Sequence, residues 1–349
     1  MSDIAKGVLG GGWAALVGWF VPAAANLILF AFFVMPSLVS KPPFKQIATF
    51  GVEHRLLLLA GATVLLGLVL MSMYKLLYQV FEGHAGWPSG IWEWRKKRQT
   101  RVKYCLELEL LPHVDKPLSA QQQDRLETIE KFFRENRLGP ANRRTTELPP
   151  LRRQLKEAKL ARFPCEDEQI TSTRLGNAIR RMEWYGQDRY RLDSPTLWYE
   201  LLSVVPDRTR EDVQRARAGV DFYVALIYGH ILVAISALVA LGIQDKRRPL
   251  LAITAAALIA LTFLWYRFAC FATDDWASAV QAVVNVGRQP LSKVLGLQMP
   301  QRLEDERAMW AAVGWLTTYP FGLYPKVPGA VNRFRRPLQR RTRRVRTPR

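Results

Sequence analysis

Four uninterrupted apolar runs constrain this chain more than any other feature of its sequence. Trp13–Met35 is 23 residues without a charge, Leu56–Tyr74 is 19, Phe222–Ile243 is 22 with one histidine, and Leu250–Tyr266 is 17. A helix needs about 20 apolar residues to cross the hydrocarbon of a bilayer. The fourth run is short, but the following Arg267 can snorkel and lengthen it. The runs predict four transmembrane helices, arranged as two hairpins, in a mainly α membrane protein with a small, mostly helical cytoplasmic insert. The first run is too long for the core of a cleaved signal peptide, and Asp3 and Lys6 before it do not form a basic cluster.

The net charge of +20 orients the spans. Arg95-Lys96-Lys97-Arg98 follows the second span, and residues 331–349 carry nine arginines and no acid. Basic loops are retained on the cytoplasmic side, and two spans separate these clusters, so both termini and residues 84–218 are expected in the cytoplasm. Lys246-Arg247-Arg248, in the turn between the third and fourth spans, opposes this and is outweighed. Trp13, Tyr74, Tyr78, Tyr223, Trp265 and Tyr266 fall at the expected cytoplasmic ends, where aromatic rings mark the headgroup level. Three widely spaced cysteines (Cys105, Cys165, Cys270) give no CxxC and no disulfide framework, which suits a reducing compartment.

The organisation expected is a first hairpin over 1–83 (spans about 13–35 and 56–74) and an insert over 84–218. A second hairpin follows over 219–271 (spans about 222–243 and 250–267), then amphipathic helices over 272–318 and a disordered Arg-rich tail over 319–349. Pro22 predicts a kink in the first span. Within the insert, residues 102–110 alternate apolar and polar and read as a half-buried strand. Ser119 and Gln122 form an S-x-x-Q capping box before a helix with Leu126, Ile129 and Phe133 on one face. Leu151–Arg162 reads as a very basic helix. The fourth span is expected to continue as helix beyond the membrane, followed by helices over Leu291–Leu297 and Leu303–Leu316, the latter opening on Glu304-Asp305-Glu306.

Residues 171–206 hold the densest mixture of Arg, Trp, Tyr and acid in the chain. Helical spacing puts Asn177, Arg180, Arg181 and Trp184 on one face, and Gly186 is expected to end that helix. With Arg174, Arg189 and Asp193 these residues are the candidate ligand- or partner-binding set, since arginine suits bidentate contacts to anions. Packing of the insert is the competing role. Two intramembrane polar residues, Asn26 and His230, are candidates for a polar path or for interhelical hydrogen bonds, because ionisable groups at that depth are costly. Ala252, Ala256 and Ala260 form a small-residue stripe suited to close packing against a neighbouring helix of this chain or of another subunit.

On Thr173-Arg174-Leu175-Gly176-Asn177, Glu183, Arg189-Tyr190, Asp193 and Trp198, the chain resembles a family of bacterial polytopic inner-membrane proteins of uncharacterised activity. The family has a T-R-L-G-N block, a Glu, R-Y-x-x-D and a Trp before a hydrophobic hairpin. The resemblance covers roughly residues 160–318, with Arg288, Leu291, Pro300, Glu304 and Trp310 as a looser second block. It implies an architecture and no chemistry.

No phosphate-binding loop, dinucleotide fingerprint, HExxH or GxSxG elbow is present. The four histidines are isolated, and Glu166-Asp167-Glu168 lacks the further ligands a cation site needs. The expectation is therefore a non-enzymatic inner-membrane protein without metal or cofactor: a scaffold, adaptor or sensor acting through its insert, with an oligomeric channel or channel-like effector as the alternative. Expected partners are the bilayer and an unknown protein or further copies of the chain. Arg335, Arg336, Arg340, Arg341, Arg343 and Arg344 of the tail are expected to contact anionic lipid headgroups. Nucleic acid is set aside because no aromatic residues interleave with these arginines.

Overall fold

A computed structural model describes residues 12–83, 85–112, 117–139, 148–243, 247–318 and 334. Among these residues the fold is mainly helical and contains no β-strand. The candidate tail arginines, from Arg335 to Arg344, lie outside the described residues. Four helices are long and apolar enough to cross a membrane: Gly12–Ser37 (α1), Val52–Ser72, Asp207–Ile243 and Arg248–Val294. A short α2 (Phe44–Thr49) separates the first from the second, which is α3; a single non-helical residue, Met73, then divides α3 from α4 (Tyr74–Glu82).

The first span accommodates Pro22 through wide turns. Two π-helical stretches, Leu16–Phe20 and Phe30–Val34, flank a regular stretch Val21–Leu29 that begins at the proline. A proline cannot donate to the helical ladder, and a π turn before it is a standard way to absorb that irregularity.

The chain divides into two compact units. The first comprises Met1–Met182 and Glu211–Ala279. Its apolar core joins Val34 of α1, Val233, Ala234, Ala237 and Ala240 of Asp207–Ile243, and Leu251, Ala255 and Leu258 of Arg248–Val294. Small residues let membrane helices approach closely enough for dispersion to hold them. The face of the fourth long helix that does this is Leu251/Ala255/Leu258, whereas Ala252, Ala256 and Ala260 are exposed. The sequence stripe was correctly small but is not the face used within the chain.

Between the second and third spans lie α5 (Ser89–Leu110), α6 (Ala120–Glu135), α7 (Pro150–Leu160) and the start of α8 (Arg174–Glu183). The strand expected over 102–110 is the last third of α5. The alternation there is real, but Tyr104 and Leu108, four apart, are the buried pair, and they pack on Ile129 and Phe133 of α6. A lone strand had no partner for its backbone groups, whereas a helix satisfies them internally. The capping box of α6 is formed: Ser119 Oγ accepts from Gln122 N at 3.3 Å and Gln122 Oε1 accepts from Ser119 N at 3.0 Å.

The second unit comprises Glu183–Arg210 and Val280–Arg349. Its described helices are α9 (Tyr185–Tyr190), α10 (Trp198–Val204), the last turns of the fourth long helix and α13 (Leu303–Thr318). Here α11 denotes Asp207–Ile243 and α12 denotes Arg248–Val294. Trp310, Met309, Leu291, Leu201, Leu197 and Leu192 are among its fully buried side chains. Two expectations are corrected. Helix α8 stops at Glu183 with a turn at Trp184, and Gly186 lies inside α9, where a Cβ would come within 2.7 Å of the Leu192 carbonyl oxygen. There is no separate helix over Leu291–Leu297, because α12 runs through Pro290 to Val294. The acidic first turn of α13 is as expected, favourable beside the positive end of its helix dipole.

Candidate functional site

The most constrained polar group in the first unit lies inside the apolar bundle. His230 is 3% exposed and Asn26 is 2% exposed. Trp265 Nε1 donates to His230 Nε2 at 3.2 Å. An indole N–H can only donate, so Nε2 is the acceptor and the imidazole proton sits on Nδ1. That proton points at Asn26 Oδ1, 2.7 Å away. Asn26 Nδ2 then donates to the Pro22 carbonyl oxygen at 2.8 Å, the carbonyl four residues back in the same helix. Three helices, α12, α11 and α1, are thus joined through a neutral imidazole with both nitrogens bonded. Gly229 makes room for it: a Cβ there would lie 2.1 Å from Asn26 Nδ2. The two residues singled out by sequence are brought together, and Trp265, expected at the headgroup level, is the third member. Of the other polar residues nearby, Tyr228 donates to the Leu77 carbonyl oxygen at 2.9 Å and Ser236 to that of Leu232.

The T-R-L-G-N block forms a buried joint in the same unit. Thr171, Ser172, Thr173, Gly176 and Asn177 are all buried. Asn177 Oδ1 accepts from Thr171 N at 2.7 Å, and Thr173 Oγ1 accepts from Gly176 N at 2.9 Å while donating to the Phe81 carbonyl oxygen. Phe81 lies in α4, so the block locks the start of α8 to the helix that follows the second span. Gly176 permits this: an added Cβ would meet the Phe81 carbonyl oxygen at 2.6 Å and Glu82 Cα at 2.9 Å. Asn177, grouped by helical spacing with a ligand-facing set, is therefore inward and structural. Arg174 is exposed, Arg180 and Arg181 are half-buried, and Arg181 Nη1 lies 2.6 Å from Cys165 Sγ.

A charge node that sequence reasoning passed over ties α5 and α6 to the loop before α8. Asp167 accepts from Lys103 Nζ at 2.7 Å, from Tyr104 Oη at 2.7 Å and from Arg125 through two bonds of 2.6 and 3.0 Å. Arg125 also forks onto Glu107 at 2.8 and 2.9 Å. Lys103, 3% exposed, donates further to the carbonyl oxygens of Pro164 and Cys165. Burial by itself raises the Asp167 carboxyl, but the hydrogen bonds from Arg125, Lys103 and Tyr104 outweigh it and hold the carboxyl well below the usual aspartate range. The acid was visible in Glu166-Asp167-Glu168 but was weighed only as a cation site and set aside. The missing signal was the Lys103–Glu107 spacing of four, which only a helix over 102–110 places on one face.

In the second unit, Asn285 Oδ1 accepts from Tyr190 Oη at 3.0 Å and Tyr185 Oη at 3.2 Å. Arg288 lies over the Tyr190 ring at 4.4 Å and binds Glu306, 2.6 Å from Nη1 to Oε2. Glu306 Oε1 accepts from Trp310 Nε1 at 3.2 Å. Arg307 Nη1 donates to the carbonyl oxygens of Asp188 and Arg189 at 2.8 and 2.7 Å. Arg288 and Trp310 had been picked out with Glu304, but the buried acid that joins them is Glu306. Asp193 caps the turn after α9, accepting from Thr196 N at 3.2 Å and Thr196 Oγ1 at 2.8 Å. Arg189 is exposed, and Trp184 is half-buried. The candidate binding set is thus divided, with Arg174, Asn177, Arg180 and Arg181 in the first unit and Trp184, Arg189 and Asp193 in the second.

Comparison with known proteins finds no matching family model, no matching curated protein and no matching solved structure.

Proposed function

We propose that this chain is a non-enzymatic, multi-pass protein of a bacterial inner membrane that acts as an adaptor or sensor, with two membrane hairpins, its insert and both termini on the cytoplasmic side. The observation that carries this reading is helix continuity. Helices α11 and α12 run from their apolar stretches into polar sequence without a break, over Asp207–Ile243 and Arg248–Val294. A continuous helix transmits a shift or rotation along its length, because its backbone bonds are all internal. The partner surface is assigned to exposed residues of the second unit, Arg189, Arg191 and Tyr199, the last 83% exposed. Leu192, Leu197 and Leu201, buried in the same unit, hold the surface in place. Membership of the bacterial family that the T-R-L-G-N block resembles belongs to this proposal.

The test is crosslinking in native membranes with tagged full-length protein, comparing the natural sequence with Arg189→Glu/Tyr199→Ala. A specific co-purifying protein that disappears in the double variant, with thermal stability unchanged, supports the adaptor reading. Capture that is the same in both overturns the assignment of this surface. If the only species recovered is the chain crosslinked to itself, the adaptor reading fails and the channel-like alternative takes its place.

A further inference from the structure

Helix α7, Pro150–Leu160, has no buried residue. Leu151 is 68% exposed and Leu155 is 55% exposed, and with Ala158 they follow the four-then-three spacing of one helical face. Arg152, Arg153, Lys156 and Lys159 occupy the remainder, against a single acid, Glu157. Arg153 pairs with Glu157 at 2.9 Å and Lys156 with Glu109 of α5. An exposed leucine pair in a basic helix is an unsatisfied face in water.

The end of this helix is fixed beside a membrane span. Arg162, two residues beyond α7, binds Asp274 of α12 (Nε to Oδ1, 2.8 Å) and lies over the Phe271 ring at 5.2 Å. Those residues are between one and two helical turns past Arg267, where the fourth apolar run ends. Helix α5, against which α7 packs, is tied to the end of α4 and to the Thr171–Asn177 joint. A Cβ on Gly83 would lie 2.7 Å from Trp92 Nε1, and Gln99 accepts from Asn177 in the joint that grips Phe81.

We infer that α7 lies on the membrane surface, with Leu151 and Leu155 inserted at the headgroup boundary and Arg152, Arg153 and Lys159 bound to anionic lipid. Two leucines and an alanine are far too small an area to form the core of a protein interface, which needs about 800 Å² from each partner. They suffice for a helix already tethered at the bilayer, because tethering makes insertion an intramolecular step. A basic polar face with an apolar stripe is the composition of helices that lie in the interfacial plane, and each basic residue near an anionic surface adds roughly 1 kcal/mol. This inference requires only that the four long helices span a bilayer; it is independent of the adaptor proposal.

The experiment is hydrogen exchange of the full-length protein in nanodiscs, comparing purely zwitterionic with part-anionic phospholipid. Amides of 150–160 should exchange more slowly in the anionic discs, by about fivefold or more, the factor that one basic contact of usual strength produces, while α6 is unchanged. In Arg152→Glu/Arg153→Glu/Lys159→Glu the difference should vanish. A spin label at Leu155→Cys, with Cys105, Cys165 and Cys270 replaced by serine, should be reached by oxygen and shielded from a water-soluble nickel relaxant, and a label at Glu157→Cys should show the reverse. Equal exchange in both lipids overturns the inference. So does protection that persists in detergent and grows with protein concentration, since a second copy of the chain would then cover the face.

Discussion

At His230 a single ring carries the contacts of three helices, so the consequences of altering it can be argued bond by bond. His230→Ala leaves the Trp265 indole N–H and the Asn26 carbonyl without partners in the bundle. Orphaned buried polar groups cost about 1–3 kcal/mol each in water-soluble proteins, and interhelical bonds in membranes average less, about 0.6 kcal/mol. A loss of about 1–2 kcal/mol is expected, read as a lower unfolding temperature in nanodiscs. Gly229→Ala should be worse although it removes no hydrogen bond, because its methyl group would occupy the space of Asn26. If Gly229→Ala melts like the natural protein, the packing around the Asn26–His230–Trp265 group is looser than the 2.1 Å approach to Asn26 implies. Asp167 gives a prediction in pH. Its folded carboxyl titrates below the usual value of about 3.9, so its contribution is fully present above that value and is lost as pH falls through the lower, folded one. Asp167→Asn should therefore flatten the acid limb of the stability profile. It should also cost about 3 kcal/mol near neutrality, since Lys103 would stay buried with only Glu107, 3.8 Å away, as counter-charge. An acid limb unchanged in Asp167→Asn would place that dependence on another carboxylate.

At the scale of elements, what the sequence disclosed and what it hid follow from the range of the forces involved. The four long apolar helices were readable because hydropathy summed over about 20 residues is a local quantity. The α6 capping box was readable because its partners are three residues apart. Ser119→Ala removes the acceptor for Gln122 N and should cost about 1 kcal/mol, measurable as a lower unfolding midpoint; Ser119→Asp should retain most of it. The strand over 102–110 failed because period-two alternation over nine residues does not exclude a helix whose buried pair is Tyr104 and Leu108. What decides it is burial against Ile129 and Phe133, which are distant in sequence. Asn177 was misplaced for the same reason. Its helical face was read correctly, but Asn177 is held inward there by the Thr171 amide and by Gln99 of α5, 78 residues earlier. The Asn26–His230–Trp265 group shows the converse: Asn26 and His230 stood out because polar residues are rare in apolar runs, whereas Trp265 resembled any interfacial aromatic until its N–H was placed against the imidazole.

At the scale of the whole molecule, four helices able to cross a membrane leave one decisive question, which face each polar segment occupies, and the charge layout bears on it with two opposed signals. Arg95-Lys96-Lys97-Arg98 and the nine arginines of 331–349 favour the cytoplasm for the termini and the long insert. Lys246-Arg247-Arg248, in the turn joining α11 to α12, would place that turn in the cytoplasm instead. Both cannot be satisfied with four spans, because the turn and the insert are separated by one. The larger excess should prevail, so Lys41 and Arg247, both exposed, should face outward while the exposed Cys165 faces inward. A membrane-impermeant thiol reagent added to intact cells should then label Lys41→Cys and Arg247→Cys and leave the natural protein unlabelled. Opened or inverted membranes should expose Cys165. Labelling of Cys165 in intact cells, with position 41 protected, would invert the assignment. It would put the charge node at Asp167 and the surface around Arg189 outside the cell, and it would transfer the search for a partner to the opposite face of the membrane.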